Sequence, residues 1–400
     1  LADRRHLRRF LLIYALAWAG CSIAYVPFLT ILLPVRVTAL AGQGPDISWM
    51  AYIAFAGAIA ASIGNIGFGY LSDVSGNRRG WVAAGLMLSC ALLLAVAKAT
   101  SLTGLTGLIV ILVFWQLALN MMLAPLAALA GDCVPDNDKG LLGGLMAFAP
   151  GLGALSGAAV TIPGLAGPDA QLALVAALVA ACVLPALISR LPQSEGATRQ
   201  QPPSPPADRE PYQQILRGIM ARMWFARLAV QVAEAALFAY LLFWFRSLDP
   251  AIGGNATARV FGSILIVSAP LALIAGRWAD RRDRPLLPLI VCTGLSACAL
   301  TGMALASTLP AAIATYAVFG IASAVFLALH SSQTLRVLPR SDRRGRDLGL
   351  FNLTNTLPSL IMPWLALALV PRFGFSALFL VFAVLALLAG AVLLAPSRRI

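Results

Sequence analysis

Twelve apolar segments, each long enough to cross a bilayer, follow one another along this chain. They lie at about 10–38, 47–72, 80–100, 104–131, 140–165, 169–191, 221–248, 255–279, 285–307, 309–338, 345–370 and 373–396. Hydrocarbon offers no partner to a peptide N–H or C=O, so a spanning segment must satisfy its backbone internally. A helix needs roughly 20 residues to do so across the apolar core. An open sheet is excluded, and the expected fold class is an all-α membrane protein with 12 transmembrane helices. Composition agrees: 60% of residues are hydrophobic and 11% charged, with a mean hydropathy of +0.85, whereas soluble domains carry about 25% charged residues.

The segments divide six and six. Between them Pro192–Pro211 reads PQSEGATRQQPPSPPADREP, polar and proline-rich with no hydrophobic period, the composition of a linker. The expected organisation is an N-terminal six-helix bundle at 1–191, a cytoplasmic linker at 192–212 and a C-terminal six-helix bundle at 213–400.

Loop charge sets the orientation, because Lys and Arg are retained on the cytoplasmic side. With both termini cytoplasmic, Arg36, Lys98, Arg246, Arg259 and Arg372 fall outside and Arg227 lies within a segment. The remainder of the 29 Lys and Arg are inside. The net charge of +13 is thus a topology signal, spread over every inner loop without the aromatic-interleaved patch of a nucleic-acid site. No nucleic-acid partner is expected; the lipid bilayer, with anionic inner-leaflet lipids against the arginines, is. Lys98 and Lys139 are the only lysines against many arginines, a composition that suggests a GC-rich bacterial genome and a bacterial cytoplasmic (inner) membrane.

Cys21, Cys90, Cys182, Cys292 and Cys298 fall inside apolar segments and Cys133 at a loop, without the spacing of a disulfide framework or zinc site. No metal and no cofactor is expected. No H-E-x-x-H, G-x-S-x-G or G-x-x-x-x-G-K-[ST] occurs, which argues against a membrane enzyme and against a nucleotide-driven pump. The first apolar stretch runs past signal-peptide length, and the sequence opens on Leu1 without a Met, so residues upstream are expected.

Between the second and third segments, Gly69–Arg79 reads GYLSDVSGNRR. Gly69 is suited to close helix contact, Gly76 to a tight turn, and Asp73 offers a carboxylate that Arg78 can hold or that a helix N-terminus would favour by about 0.3–1 kcal/mol. A weaker copy, GRWADRRDRP, carries Gly276, Asp280 and Arg284 between the eighth and ninth segments. Two related loops in two matching halves indicate duplication.

Twelve segments in two halves, a long middle linker, and G-x-x-x-D-x-x-G-x-R with a degraded copy in the second half resemble the major facilitator superfamily. That resemblance covers the whole chain and implies two pseudo-symmetric six-helix bundles, a monomer, and transport by alternating access. It further implies that the Asp73 contact exists in the outward-facing state and breaks as the halves rock. By pseudo-symmetry Asp73 should dock near Arg344 to Arg346 and Asp280 near Lys139 and Gly140. Asn77 stands where an Arg is common, and Asp283 and Pro285 depart from the pattern in the second copy; Asp73 is therefore expected to matter more than Asp280. AGDCVPDNDKGLLGG at 130–144 and RVLPRSDRRGRDLGLFN at 336–352, followed by Asn355, resemble glycoside-pentoside-hexuronide and sucrose-type sugar carriers. APGLGALSG at 149–157 partly matches the G-P-x-x-G-G element of proton-coupled antiporters.

Inside the membrane the most consequential side chain is Glu234. A charge at mid-bilayer costs about 2.5–3.5 kcal/mol even on the lenient scale, so an ionisable residue there is a functional candidate. Arg227, Gln231 and Glu234 stand at i, i+4 and i+7, one face of the seventh segment, which should line the cavity. Glu234 suits a proton carrier and Arg227 a ligand for an anionic substrate, while a purely structural ion pair is a third possibility. Further candidate ligands are Trp18, Ser22 and Tyr25 on the first segment, and Gln116 and Asn120 on the fourth. His330, Gln333 and Thr334 on the tenth and Asn352 and Asn355 on the eleventh complete the set. Pro27, Pro34, Pro150, Pro358 and Pro363 should bend the first, fifth and eleventh segments.

The expected function is a secondary transporter moving a small solute, a sugar or related polar metabolite, coupled to H+. A proton-coupled drug or metabolite exporter is an alternative, as is a non-transporting receptor or lipid scramblase on the same fold.

Overall fold

The computed structural model describes residues 2–42, 46–133, 145, 146, 148–189, 210–282, 286–337 and 344–394. The described elements are helical: α1 (Ala2–Pro27), a π-helical turn (Phe28–Leu32), α2 (Leu33–Ala41), α3 (Asp46–Ser75), α4 (Arg78–Cys133) and α5 (Ala149–Val160). There follow α6 (Pro168–Ile188), α7 (Glu210–Leu248), α8 (Gly254–Arg282), α9 (Leu287–Leu305), α10 (Leu309–Val337) and α11 (Arg344–Leu394). Ten described helical stretches are long and apolar enough to span a membrane, and α5 is a shorter apolar helix.

The helix breaks have local causes. α4 and α11 each turn at one glycine, Gly104 (φ 61°) and Gly374 (φ 71°), a left-handed conformation in which a Cβ is strained. Each of these helices therefore holds two of the segments read from the sequence. In the first segment Pro27 removes one helical donor, and the chain passes into a wider π turn in which the Leu33 N–H bonds the Phe28 carbonyl, a recognised place for such bulges. The fifth segment ends sooner than expected. Its helix ends at Val160, where the Thr161 hydroxyl folds back onto the Gly157 carbonyl at 2.6 Å before Pro163 and the positive-φ Gly164. The seventh starts earlier, at Glu210, because Pro211 at the first helical turn lacks only a donor that would have no partner there.

Contacts divide the chain into two compact units. The first comprises Leu1–Ala197 with Ala239–Arg246 and Ala251–Ser263; the second comprises Thr198–Phe238, Ser247–Pro250 and Ile264–Ile400. In the first unit α1 packs on α5 and α6, and α3 on α4. The α3–α4 seam is built on small residues. A Cβ at Gly57 would lie 3.2 Å from Leu112, at Gly64 3.1 Å from Asn120, and at Gly85 2.5 Å from the Met122 amide nitrogen, so backbones approach as they do where lipid gives helices no hydrophobic reason to associate. Tyr14 donates to the Leu126 carbonyl at 2.8 Å and stacks on Trp18. At the other end Arg36 pairs with Asp169 at 2.6 Å.

In the second unit α9 packs on α10 and α11. Its core joins Ala226 and Val230 of α7 to Leu289, Phe326 and Leu393. In the first unit Ile66, Tyr70 and Met87, on outward faces, are each about two-thirds or more exposed, as suits residues that face acyl chains.

Candidate functional site

In the second unit, α7 presents two faces. Ala226, Ala229, Val230 and Ala233 are buried, whereas Arg227, Gln231 and Glu234 are half-buried. Arg227 Nε donates to Gln231 Oε1 at 3.2 Å, and the charges of Arg227 and Glu234 act on one another. The heptad-like spacing read from the sequence thus gathers the three side chains. Tyr316 of α10, 3% exposed, lies within the field of Glu234. His330 lies within the field of Arg227, but its ring is fully buried, packed on Phe326, with Nε2 2.8 Å from the Met223 carbonyl. It joins α10 to α7. Tyr316 was missed by sequence reasoning, although fourteen residues separate it from His330, close to four turns, which puts both on one side of α10.

In the first unit the amides of α3 and α4 form a chain. Asn65 Nδ2 donates to Asn120 Oδ1 at 3.3 Å, and Asn120 Nδ2 to the Gln116 carbonyl at 2.9 Å. Asn120 therefore meets α3 with its amide oxygen and its own helix with its amide nitrogen. Gln116 is 9% exposed with its Nε2 over Gly57, and Tyr25 is half-buried. Two polar groups here escaped sequence reasoning. The Trp115 indole, edge-on to Phe28 at 4.8 Å, and the Tyr240 hydroxyl are both buried without a hydrogen-bond partner. Interiors rarely leave such groups unmatched, and a ligand or water is the usual reason. Their neighbours in sequence, FWQ and FAY, carried no signal beyond an aromatic in an apolar run.

The loop after α3 holds its own charges. Gly76 turns at φ 62°, Asp73 pairs with Arg78 at 2.8 Å, and Arg79 donates to the Ser189 carbonyl at the end of α6. Asn77 accepts the Gly80 N–H at 3.0 Å and so caps α4. Gly69 does not make the close contact expected of it: a Cβ there would meet only Ala124 at an ordinary 3.9 Å. That role belongs to Gly64 and Gly85, nearer the middle of the α3–α4 seam. Gly276 of the second copy faces Leu329.

The side chains of Asp280, Gln333, Thr334, Asn352 and Asn355, and Arg284 itself, lie outside the described residues, as do the docking partners expected near Arg344–Arg346 and Lys139–Gly140. Among the described residues no cluster of His, Cys, Asp and Glu could hold a metal ion.

With this geometry in place, comparison gives a consistent picture. A family model described as Major Facilitator Superfamily matches residues 223–399. No curated protein sequence matches the chain. Among solved structures, a bacterial homolog to the human lysosomal transporter Spinster, in an inward-facing and unoccupied conformation, is similar with a TM-score of 0.71 at 14% identity, covering 99% of this chain and 97% of that one. A D-xylose-proton symporter is similar with a TM-score of 0.73 at 13% identity, covering 96% of each. At such identities the likeness is one of fold.

Proposed function

We propose that this chain is a transporter of the major facilitator superfamily, whose family model matches its second half, and that it works as a proton-coupled secondary carrier for a small polar solute. Glu234 carries the proton and Arg227 is its electrostatic partner. The observation behind this reading is the half-buried Arg227–Gln231–Glu234 face of α7, held by the 3.2 Å Arg227–Gln231 bond and opposed by the buried apolar face of the same helix. A carboxyl group at that depth gains or loses its proton according to whether water and the Arg227 charge reach it, which is what coupling requires.

The solute reading rests on donors more than on charge. The Trp115 indole N–H can only donate, and the Tyr240 hydroxyl can donate or accept; a hydroxylated molecule supplies partners for both. The fold neighbour that couples D-xylose to protons agrees with a sugar or related metabolite. Export of a metabolite by antiport is a second reading, favoured by one contact. Gly153 of the antiporter-like α5 stretch packs directly on the α1 backbone, where a Cβ would lie 2.8 Å from the Ser22 carbonyl.

The test is flux into proteoliposomes under an imposed proton gradient, with D-xylose and other monosaccharides as first substrates and Glu234→Gln as the variant. Loss of gradient-driven accumulation with retained exchange supports the reading. An unchanged response to the gradient overturns it. A bacterial inner membrane, a monomer and cytoplasmic termini belong to the same proposal.

A further inference from the structure

α5 ends under the first turn of α8. The last carbonyls of a helix have no partner within it, and at α5 the Thr161 hydroxyl closes on Gly157 while the Ala158 carbonyl receives the Asn255 side-chain N–H at 2.6 Å. The same amide reaches Thr161 Oγ1 at 3.4 Å. Asn255, in the first turn of α8, therefore caps the C-terminus of α5 from another helix. The seam around it admits no further atoms. A Cβ at Gly254 would fall 2.5 Å from Ile31, at Gly262 3.3 Å from Ala154, and at Gly157 3.3 Å from Pro27. Ala258, one turn on from Asn255, is 1% exposed. This end of the protein carries the α2–α3 turn, which loop charge assigns to the outer side.

We infer that Asn255 is a latch: its amide holds the α5–α8 seam closed by capping a carbonyl that water takes over when the seam parts. A bond exchanged against water contributes little net free energy, so the latch biases the seam without sealing it permanently. The glycine–alanine contacts supply shape and the amide supplies register. The inference rests on the alternating-access reading and goes beyond it by naming one side chain that sets how often this end opens.

The full-length protein carrying Ala258→Cys is reconstituted in liposomes and treated with a membrane-impermeant maleimide, labelling at position 258 being read by mass spectrometry. Asn255→Ala should accelerate labelling by about two- to tenfold, the population shift that one such hydrogen bond commands. Asn255→Asp should accelerate it further, since a carboxylate has no N–H and faces a carbonyl. Thr161→Val should have a smaller effect, because the Ala158 bond remains. Unchanged labelling in both Asn255 variants overturns the latch. Hydrogen exchange of 149–162 and 254–263 in the single Asn255→Ala variant gives the same answer without the cysteine, with faster exchange expected and unaltered protection refuting it. A latch effect in a protein with no proton-driven flux would discard the carrier reading alone, and intact flux without a latch effect would discard the latch alone.

Discussion

Arg227 Nε donates to Gln231 Oε1 across one turn of α7, holding the guanidinium on the face from which Glu234 projects one turn further on. The bond makes Arg227 a positioned charge. A flexible one would swing away from Glu234 at no cost, and the coupling between them would vanish.

Gln231→Leu should therefore weaken the influence of Arg227 on Glu234 while leaving the fold intact. The pH at which flux is half-maximal is expected to shift, because the charge that acts on the carboxyl group is no longer held in place. A pH series of flux in proteoliposomes measures this, and an unmoved profile would contradict it.

Tyr240→Phe removes a buried hydroxyl that has no partner. Deleting an unmatched polar group is neutral or stabilising, by up to about 1–3 kcal/mol, so the ligand-free protein should melt no lower than wild type. Binding of a hydroxylated substrate should fall several-fold. A lower melting temperature would mean that the hydroxyl supports the fold.

Gly85→Ala and Gly69→Ala form a contrasting pair. A Cβ at Gly85 would lie 2.5 Å from the Met122 nitrogen, and overpacking of this kind costs about 1–3 kcal/mol or more. A Cβ at Gly69 meets only Ala124 at 3.9 Å. Thermal denaturation in detergent should separate the two clearly, with Gly69→Ala near wild type.

Asn77→Ala loses the cap on α4, at a cost of about 0.5–2 kcal/mol, and should lower the melting temperature. The Asp73–Arg78 pair is different. Asp73 remains 61% exposed in that pair, and exposed pairs are worth little, so Asp73→Asn should leave stability nearly unchanged. If Asp73 acts in switching, the same variant should slow flux more than Asp280→Asn does.

The spans were legible because they depend on properties a residue carries wherever it is placed. Apolar length decides what enters hydrocarbon, and the breaks at Gly104 and Gly374 fall at the boundaries between the segments it marks. The i, i+4, i+7 pattern of Arg227, Gln231 and Glu234 belongs with these, since one helix suffices to bring them together.

Other polar residues were legible only as a set. Asn120 and His330 looked like ligands in sequence, yet Asn65 and the Met223 carbonyl engage them. Tyr316, Trp115 and Tyr240 were not singled out in the sequence, yet one lies within the field of Glu234 and two are buried without a hydrogen-bond partner. Whether a polar side chain in a helix bundle is occupied or available depends on which neighbouring helix faces it and at what height. The same is true of Gly69 and Gly85, equivalent as letters and opposite in contact. Sequence alone determined a membrane-spanning helical chain, because hydrophobic transfer and backbone satisfaction act segment by segment. The tertiary structure decided which groups are free to meet a substrate, because a hydrogen bond between helices needs both partners within about 3 Å, and only packing supplies that.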